Sequence, residues 1–272
     1  MIKFKSLSSG SCGNCYFLGI YDDEGRHQCS VLIDAGVSLR RAKKELQRDG
    51  IAIEEISAIL VTHDHMDHIR SLGSYCKKLQ KPVWASETLH QALSHHSMTH
   101  SWIADCRHVL KKGETEIVPG HICARHFIVP HDATQTIGYS LDLDGYRFVI
   151  MTDIGSMTPE ALAEASLADT VVIESNYDLD MLRHGPYPKE LQDRICQGNG
   201  HLSNSECADA IRKFIHPGLK NIFLCHLSEH NNTPELALQA SAEAIGSSCA
   251  SSDRKPRLLA LPRQTPLQLT VL

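Results

Sequence analysis

The chain lacks any long hydrophobic run. No window approaches the roughly 18 uninterrupted apolar residues of a membrane helix, and the first residues, MIKFKSLSSGSCGNC, lack the apolar core of a secretory signal. Low-complexity tracts and linkers rich in Pro, Gly or Ser are also missing, so residues 1–272 are read as one globular domain. Apolar residues make up 42% of the chain, enough to build a sizeable core at this length. Ten cysteines form no repeating framework, which with the missing signal predicts reduced thiols and a cytoplasmic setting. Cys12 and Cys15 make a CxxC, but no second pair accompanies it, and the two read as incidental thiols. Positive charge is in short supply. The net charge of −5 does not favour nucleic acid by long-range attraction. The shortage is uneven, with 16 Lys+Arg against 14 Asp+Glu in residues 1–130 and 11 against 18 in the remainder. LRRAKKELQR (39–48) supplies five of those cations and reads as a solvated helix face.

What is present is a series of short, β-branched runs that end on the same kind of residue. SVLIDAG (30–36) ends at Asp34, ISAILVTH (56–63) at His63 and ICARHFIVPH (122–131) at His131. GYRFVIMTD (145–153) ends at Asp153, DTVVIESN (169–176) at Glu174 to Asn176, and NIFLCH (221–226) at His226. Each reads as a buried strand followed by a loop. Helical patterns fall between them, at about 38–49, 66–80, 86–98, 158–166, 188–197, 203–216 and 234–246. Ser203 and Glu206 form a capping box, and Pro217-Gly218 stops that helix. RLLALPRQTPLQLTVL suggests one or two closing strands. Strands that deliver His, Asp or Glu at their C-terminal ends are where an α/β architecture places its site.

VTHDHMDH (61–68) is the densest cluster. His63 and His65, at i and i+2 of a strand end, can turn their imidazoles to one side. Asp67 and His68 follow as the chain enters a helix. One ion can take His63 and His65 and a second Asp67 and His68, but zinc prefers four or five ligands. His131 can complete the first set, His226 the second, and Asp153 can bridge both ions.

HxHxDH in this setting resembles the signature of the metallo-β-lactamase superfamily, and VLIDAG, TDIG around Asp153 and the late His226 extend the likeness over most of the chain. SSGSCGN (8–14), ESNYD (174–178), GHLSN (200–204) and LCHLSEHNN (224–232) look like its YycJ/WalJ-like branch. The resemblance implies an α/β, four-layer αβ/βα sandwich with a dinuclear site at strand C-terminal ends. It implies one metal on His63, His65 and His131 and the other on Asp67, His68 and His226, with Asp153 between. Asp34 and Asp64 match positions that orient ligand imidazoles. The branch is described as metal-dependent nucleases with 5′-to-3′ exonuclease activity on DNA.

Two divalent ions, zinc or manganese with iron as a further option, can share a water and hold hydroxide as the nucleophile. Such a site keeps a charge of about +1 after its two carboxylates and the hydroxide, so an anionic phosphodiester meets a locally positive pocket. His201 in GHLSN could protonate the leaving oxygen. Ser9, Ser11 and Asn14 of the glycine-containing early loop could face a phosphate, and Asn176 and His230 are weaker contacts of the same kind. The expected activity is therefore a hydrolase, a DNA exonuclease with Asp67, His201 and Asp34 in its machinery and DNA ahead of RNA as partner. The competing activity is hydrolysis of a small acyl substrate, a thioester or lactam. Against it, Asp153 stands where many lactamases carry a zinc-binding cysteine, and Ile69-Arg70 where glyoxalase-type enzymes have Gly-Gly. A non-enzymatic metal-binding module is disfavoured by the complete ligand set. The 84–112 segment, with its clustered histidines, is placed as one that could shape access to the site.

Overall fold

Runs of alternating and continuous apolar residues become two seven-stranded sheets in the computed structural model, which describes residues 1–248 and 255–272. The first holds β1 (Ile2–Ser8), β2 (Cys15–Tyr21), β3 (His27–Ile33), β4 (Ala58–Leu60), β5 (Val83–Ala85) and β6 (Arg107–Val109) in sequence order. The second holds β7 (Glu114–Val118), β8 (Ile122–Val129), β9 (Thr136–Leu143), β10 (Tyr146–Met151), β11 (Thr170–Glu174), β12 (Asn221–Cys225) and β13 (Arg257–Ala260). A last strand, β14 (Thr270–Val271), returns to pair with β1.

The two sheets share a plan. Each begins as an antiparallel meander and continues as parallel strands, from β3 onward in the first and from β10 in the second. The β9–β10 hairpin turns on Asp144 and Gly145, both at positive φ (50° and 83°), the geometry that favours Asp-Gly. Parallel strands require crossovers, and helices supply most of them. These are α1 (Leu39–Gln47), α2 (Met66–Ile69), α3 (Leu72–Leu79), α4 (Glu87–His95), α5 (Pro159–Ala165), α6 (Leu179–His184), α7 (Lys189–Cys196), α8 (Asn204–Phe214) and α9 (Pro234–Ser248).

Three apolar clusters give four layers. Phe4, Tyr16 and Leu18 of the first sheet meet Tyr139, Phe148 and Phe223 of the second in the middle. Phe4 stacks on Phe223 with centroids 5.3 Å apart and tilts against Phe148 at 5.4 Å; such pairs add about 0.5–1.5 kcal/mol each beyond the area they bury. Ala42, Leu46, Leu72, Tyr75, Leu89 and Leu93 seat α1, α3 and α4 on the outer face of the first sheet. Ala161, Ala165, Ile211, Phe214, Ala237 and Ile245 seat α5, α8 and α9 on the second. The fold is thus the four-layer αβ/βα sandwich expected from the resemblance.

Several boundaries differ from the sequence expectation. The run 56–63 is a strand only over Ala58–Leu60, which leaves His63 in the loop beyond. The helix expected over 66–80 breaks after Ile69. The cause is the exit loop of β3: Ala35 N donates to His68 O at 2.8 Å and Ser71 N to Ala35 O at 3.0 Å, so backbone that would continue the helix is already engaged. Gly36 permits this approach, because a Cβ there would collide with the Asp67 carbonyl. The capping box at Ser203 and Glu206 is present, and α8 ends at Phe214. Cys12 is exposed and Cys15 buried, and both are free. Among the described residues, no helix is long and apolar enough to cross a membrane.

Candidate metal centre

β3, β4, β8, β10, β11 and β12 all end on one side of the sandwich, and their following residues meet there. Asp34, Asp153 and His226, just past β3, β10 and β12, adopt left-handed backbone (φ 62°, 54° and 53°). That conformation is strained for residues other than glycine, least so for Asp and Asn, and clusters at functional sites.

Each histidine of the cluster spends one ring nitrogen on a partner behind it and turns the other inward. His131 Nδ1–H donates to Gly200 O at 2.8 Å, and His65 Nε2–H to Asp132 O at 3.3 Å. His63 Nδ1–H donates to Thr62 Oγ1 at 3.1 Å. His68 Nδ1–H donates to Asp34 Oδ2 at 2.7 Å, and His226 Nδ1–H to Glu174 Oε1 at 2.9 Å. This fixes each ring in the tautomer and orientation that metal-binding imidazoles require.

The inward atoms fall into overlapping groups whose members lie within 4.8 Å of one another. One is His63, His65 and His131; another is Asp67, His68 and His226; a third is His63, His68 and Asp153. Asp153 stands between them, with Oδ2 3.1 Å from His68 Nε2 and Oδ1 3.7 Å from His131 Nε2. Asp67 Oδ2 lies 3.4 Å from His226 Nε2. His63 Nε2 is fully buried and has no hydrogen-bond partner among the described residues. A buried, unpaired lone pair costs about 1–3 kcal/mol, and a cation is what this donor set of imidazoles and carboxylates would accept.

Charge is distributed unevenly through the cluster. Burial, assisted by neighbouring His68, holds His63 well below the ordinary histidine range. Burial works the same way on His68 and His226, but carboxylates outweigh it: Asp34, Asp153 and Asp67 raise His68, and Asp153, Asp67 and Glu174 raise His226. Burial opposes the ionised forms of Asp67 and Asp153, yet the adjacent His68 and His226 hold both below the usual carboxylate range. Without cations, protons on these imidazoles balance the carboxylates.

His201 lines the cleft beside this cluster, its Nδ1 2.8 Å from Glu174 Oε1. Burial lowers its pKa, but Glu174 and Asp153 together raise it, so it tends to carry a proton. Ser11 and Asn176 also line the cleft. Other expectations need correction. Ser9 is buried, and its Oγ accepts from His226 N at 3.0 Å, so it braces a strand end instead of facing a phosphate. Asn14 is buried too, with Nδ2 2.8 Å from His68 Nε2 and 3.0 Å from Asp67 Oδ2; it touches the candidate ligands, not the cleft. Asp34 lies behind His68 with its oxygens taken by that ring and by Thr62, the orienting place the resemblance implies, so its part in the machinery is indirect and it cannot reach a substrate. Asp64 accepts from Thr134 N (3.2 Å) and from the Thr134 hydroxyl, tying two loops together without orienting an imidazole. No residue of the 84–112 segment lines the cleft; His90 Nε2–H donates to His108 O at 2.8 Å within the segment itself.

Glu174 is the residue the sequence reading left without a role. Fully buried, it accepts from His201 and His226 through Oε1 and from Ile154 N (3.0 Å) and Leu202 N (3.2 Å) through Oε2. The signal was there: TVVIE ends on a carboxylate just as SVLID does.

A family model described as the beta-lactamase superfamily domain matches residues 30–223. The chain belongs to this superfamily. Within it, the chain is 32% identical to exodeoxyribonuclease YycJ of Bacillus anthracis over 244 residues, spanning 90% of this chain and 89% of that protein. It is 33% identical to exodeoxyribonuclease WalJ of Streptococcus pneumoniae over 235 residues, spanning 86% and 85% of the two. The metallo-β-lactamase fold protein YhfI from Bacillus subtilis superposes with a TM-score of 0.68 over 98% of both chains at 14% identity, a likeness of fold. The superfamily and branch suggested by HxHxDH, SSGSCGN and GHLSN agree with these matches.

Proposed function

We propose that the chain is a dinuclear metal-dependent phosphodiesterase that degrades DNA from the 5′ end. The observation that carries this reading is the pair of three-residue groups, His63/His65/His131 and Asp67/His68/His226, with Asp153 between them. His63, His65 and His131 would hold one ion and Asp67, His68 and His226 the other, zinc or manganese being the ions suited to these donors, with iron possible. When bound, two such ions lower the pKa of water and offset negative charge that builds on a phosphoryl group.

The remaining work falls to the chain's own groups. His201 holds a proton on the ring nitrogen turned from Glu174, in reach of a leaving oxygen in the cleft. Ser11 offers a hydroxyl to the substrate's non-reacting phosphate oxygens, whereas the buried Asn176 amide donates to the His226 carbonyl at 2.8 Å and braces that strand end. Asp34 and Glu174 keep His68 and His226 in register. DNA as the substrate, and the 5′-to-3′ direction, rest on the relatives named exodeoxyribonucleases and on the branch resemblance.

The test is incubation of metal-loaded protein with end-labelled single- and double-stranded DNA and RNA, beside a thioester and a lactam, with zinc or manganese supplied. Shortening of 5′-labelled DNA to mononucleotide is expected. Turnover confined to the acyl compounds would refute the reading.

A further inference from the structure

Among the described residues, an apolar stripe along one wall of the cleft belongs to no core cluster. Leu191, Arg194 and Ile195 stand at i, i+3 and i+4 of α7, a single helical face, and line the cleft together with Tyr187 of the turn just ahead of the helix. Of the residues of α7 only Gln192 is buried, and Leu191 and Ile195 join none of the three apolar clusters.

The wall is built to keep its shape. Pro186 and Pro188 restrict the backbone on either side of Tyr187, whose carbonyl accepts from Gln192 Nε2 at 2.9 Å. Gly185 lets this turn press on the loop after β12, since a Cβ there would meet Asn231 Oδ1 at 2.7 Å. The tyrosine ring is thereby set edge-to-face against His230, with centroids 6.0 Å apart. Arg194 pairs with Asp132, whose carboxylate lies 3.4 Å from His131 Nε2. An aromatic ring, two aliphatic side chains and a guanidinium thus share a cleft of about 340 Å³ with Asp67, Asp153 and His226.

From this arrangement we infer that the α7 wall receives the base of the nucleotide whose phosphate is attacked, with Tyr187 as its stacking platform and Arg194 contacting a neighbouring phosphate. A phosphate alone calls for polar donors; a half-exposed aromatic and aliphatic face beside it matches the flat, apolar face of a nucleobase. Every base has such a face, so the contact accepts any sequence, as an exonuclease needs. The inference rests on the phosphodiesterase reading above and adds which part of the substrate the wall holds.

Calorimetric binding of thymidine 5′-monophosphate and of 2-deoxyribose 5-phosphate to the metal-loaded protein tests it. The wild type should prefer the nucleotide by about tenfold or more, the range that base–aromatic stacking supplies. Tyr187→Ala should erase the preference and Tyr187→Trp should keep it, with metal content equal in all three. Equal binding of the two probes by the wild type, or a preference that survives in Tyr187→Ala, would overturn the inference. Hydrolysis of bis(4-nitrophenyl) phosphate by the wild type separates the two ideas. If it occurs without nucleotide preference, only the wall is misread; if the wild type cleaves no phosphodiester, the functional reading falls and takes this one with it.

Discussion

His63, His65 and His131 rest their outer nitrogens on neutral partners, the Thr62 hydroxyl and the carbonyls of Asp132 and Gly200. His68 and His226 rest theirs on the buried carboxylates of Asp34 and Glu174. The two candidate ligand groups are both compact enough to hold an ion, and they differ in charge. A neutral brace adds no charge beside the ring, and burial pushes His63 and His131 below the ordinary histidine range. A carboxylate brace makes the ring more basic and adds negative charge close to the ion it would hold. The lesson is that the second group, Asp67/His68/His226, should bind its cation more tightly and depend on pH, whereas the first should do neither.

Asp153 stands between the two groups, 3.1 Å from His68 Nε2 and 3.7 Å from His131 Nε2, so its loss should break the comparison altogether. Asp153→Asn, which tolerates the left-handed backbone, should lower DNA turnover at least ~1,000-fold while near-ultraviolet circular dichroism stays native. Retained activity with full metal content would remove Asp153 from between the ions. His201→Ala should come next, slowing release of a deoxyribose alkoxide by roughly 100-fold or more and release of a nitrophenolate far less. Equal slowing of both substrates would take the proton-donor role away from His201.

The two braces can be tested directly. Asp34→Asn, and separately Glu174→Gln, should weaken one ion by about 10–100-fold, so dialysed protein should keep near one equivalent of metal where the wild type keeps two. Equal weakening of both ions would mean that the groups do not differ. The smallest effect is in protons. Carboxylates raise the pKa of His68 and His226, so both remain protonated near neutral pH in metal-free protein, and a cation must displace what they carry. Affinity for that ion should rise with pH through the neutral range, and calorimetry in buffers of different ionisation heat should record release of about one to two protons. No release at any occupancy would show the two groups to be alike.

Where the sequence could be read, the reason is locality. His63, His65, Asp67 and His68 are neighbours in the chain, and His131, Asp153 and His226 stand just past runs whose apolar pattern marks them as strands. Inside and outside were harder to tell apart. Ser9 and Asn14 look like loop residues facing solvent, yet both are buried and braced on the ligand residues. Glu174 follows the same strand-end rule as Asp34, but nothing in TVVIES shows that two histidines from distant segments converge on it. β2 and β9 each carry a glycine, which in sequence reads as a break. The structure gives the reason for one of them: a Cβ at Gly138 would strike the Phe127 ring, so the glycine serves packing across the strand pair and does not end the strand.

The left-handed turns at Asp34, Asp153 and His226 limit how the centre could be re-engineered. Swapping Asp153 for a thiolate to attract softer ions would require cysteine to take up a conformation about 1–2 kcal/mol less favourable for an L-residue. Replacement by a β-branched side chain would be worse still. At Asp153 and His226 the main chain has a vote on the donor atom, and at Asp34 on the brace behind one, so a redesign that alters metal preference must reshape the turn together with the side chain.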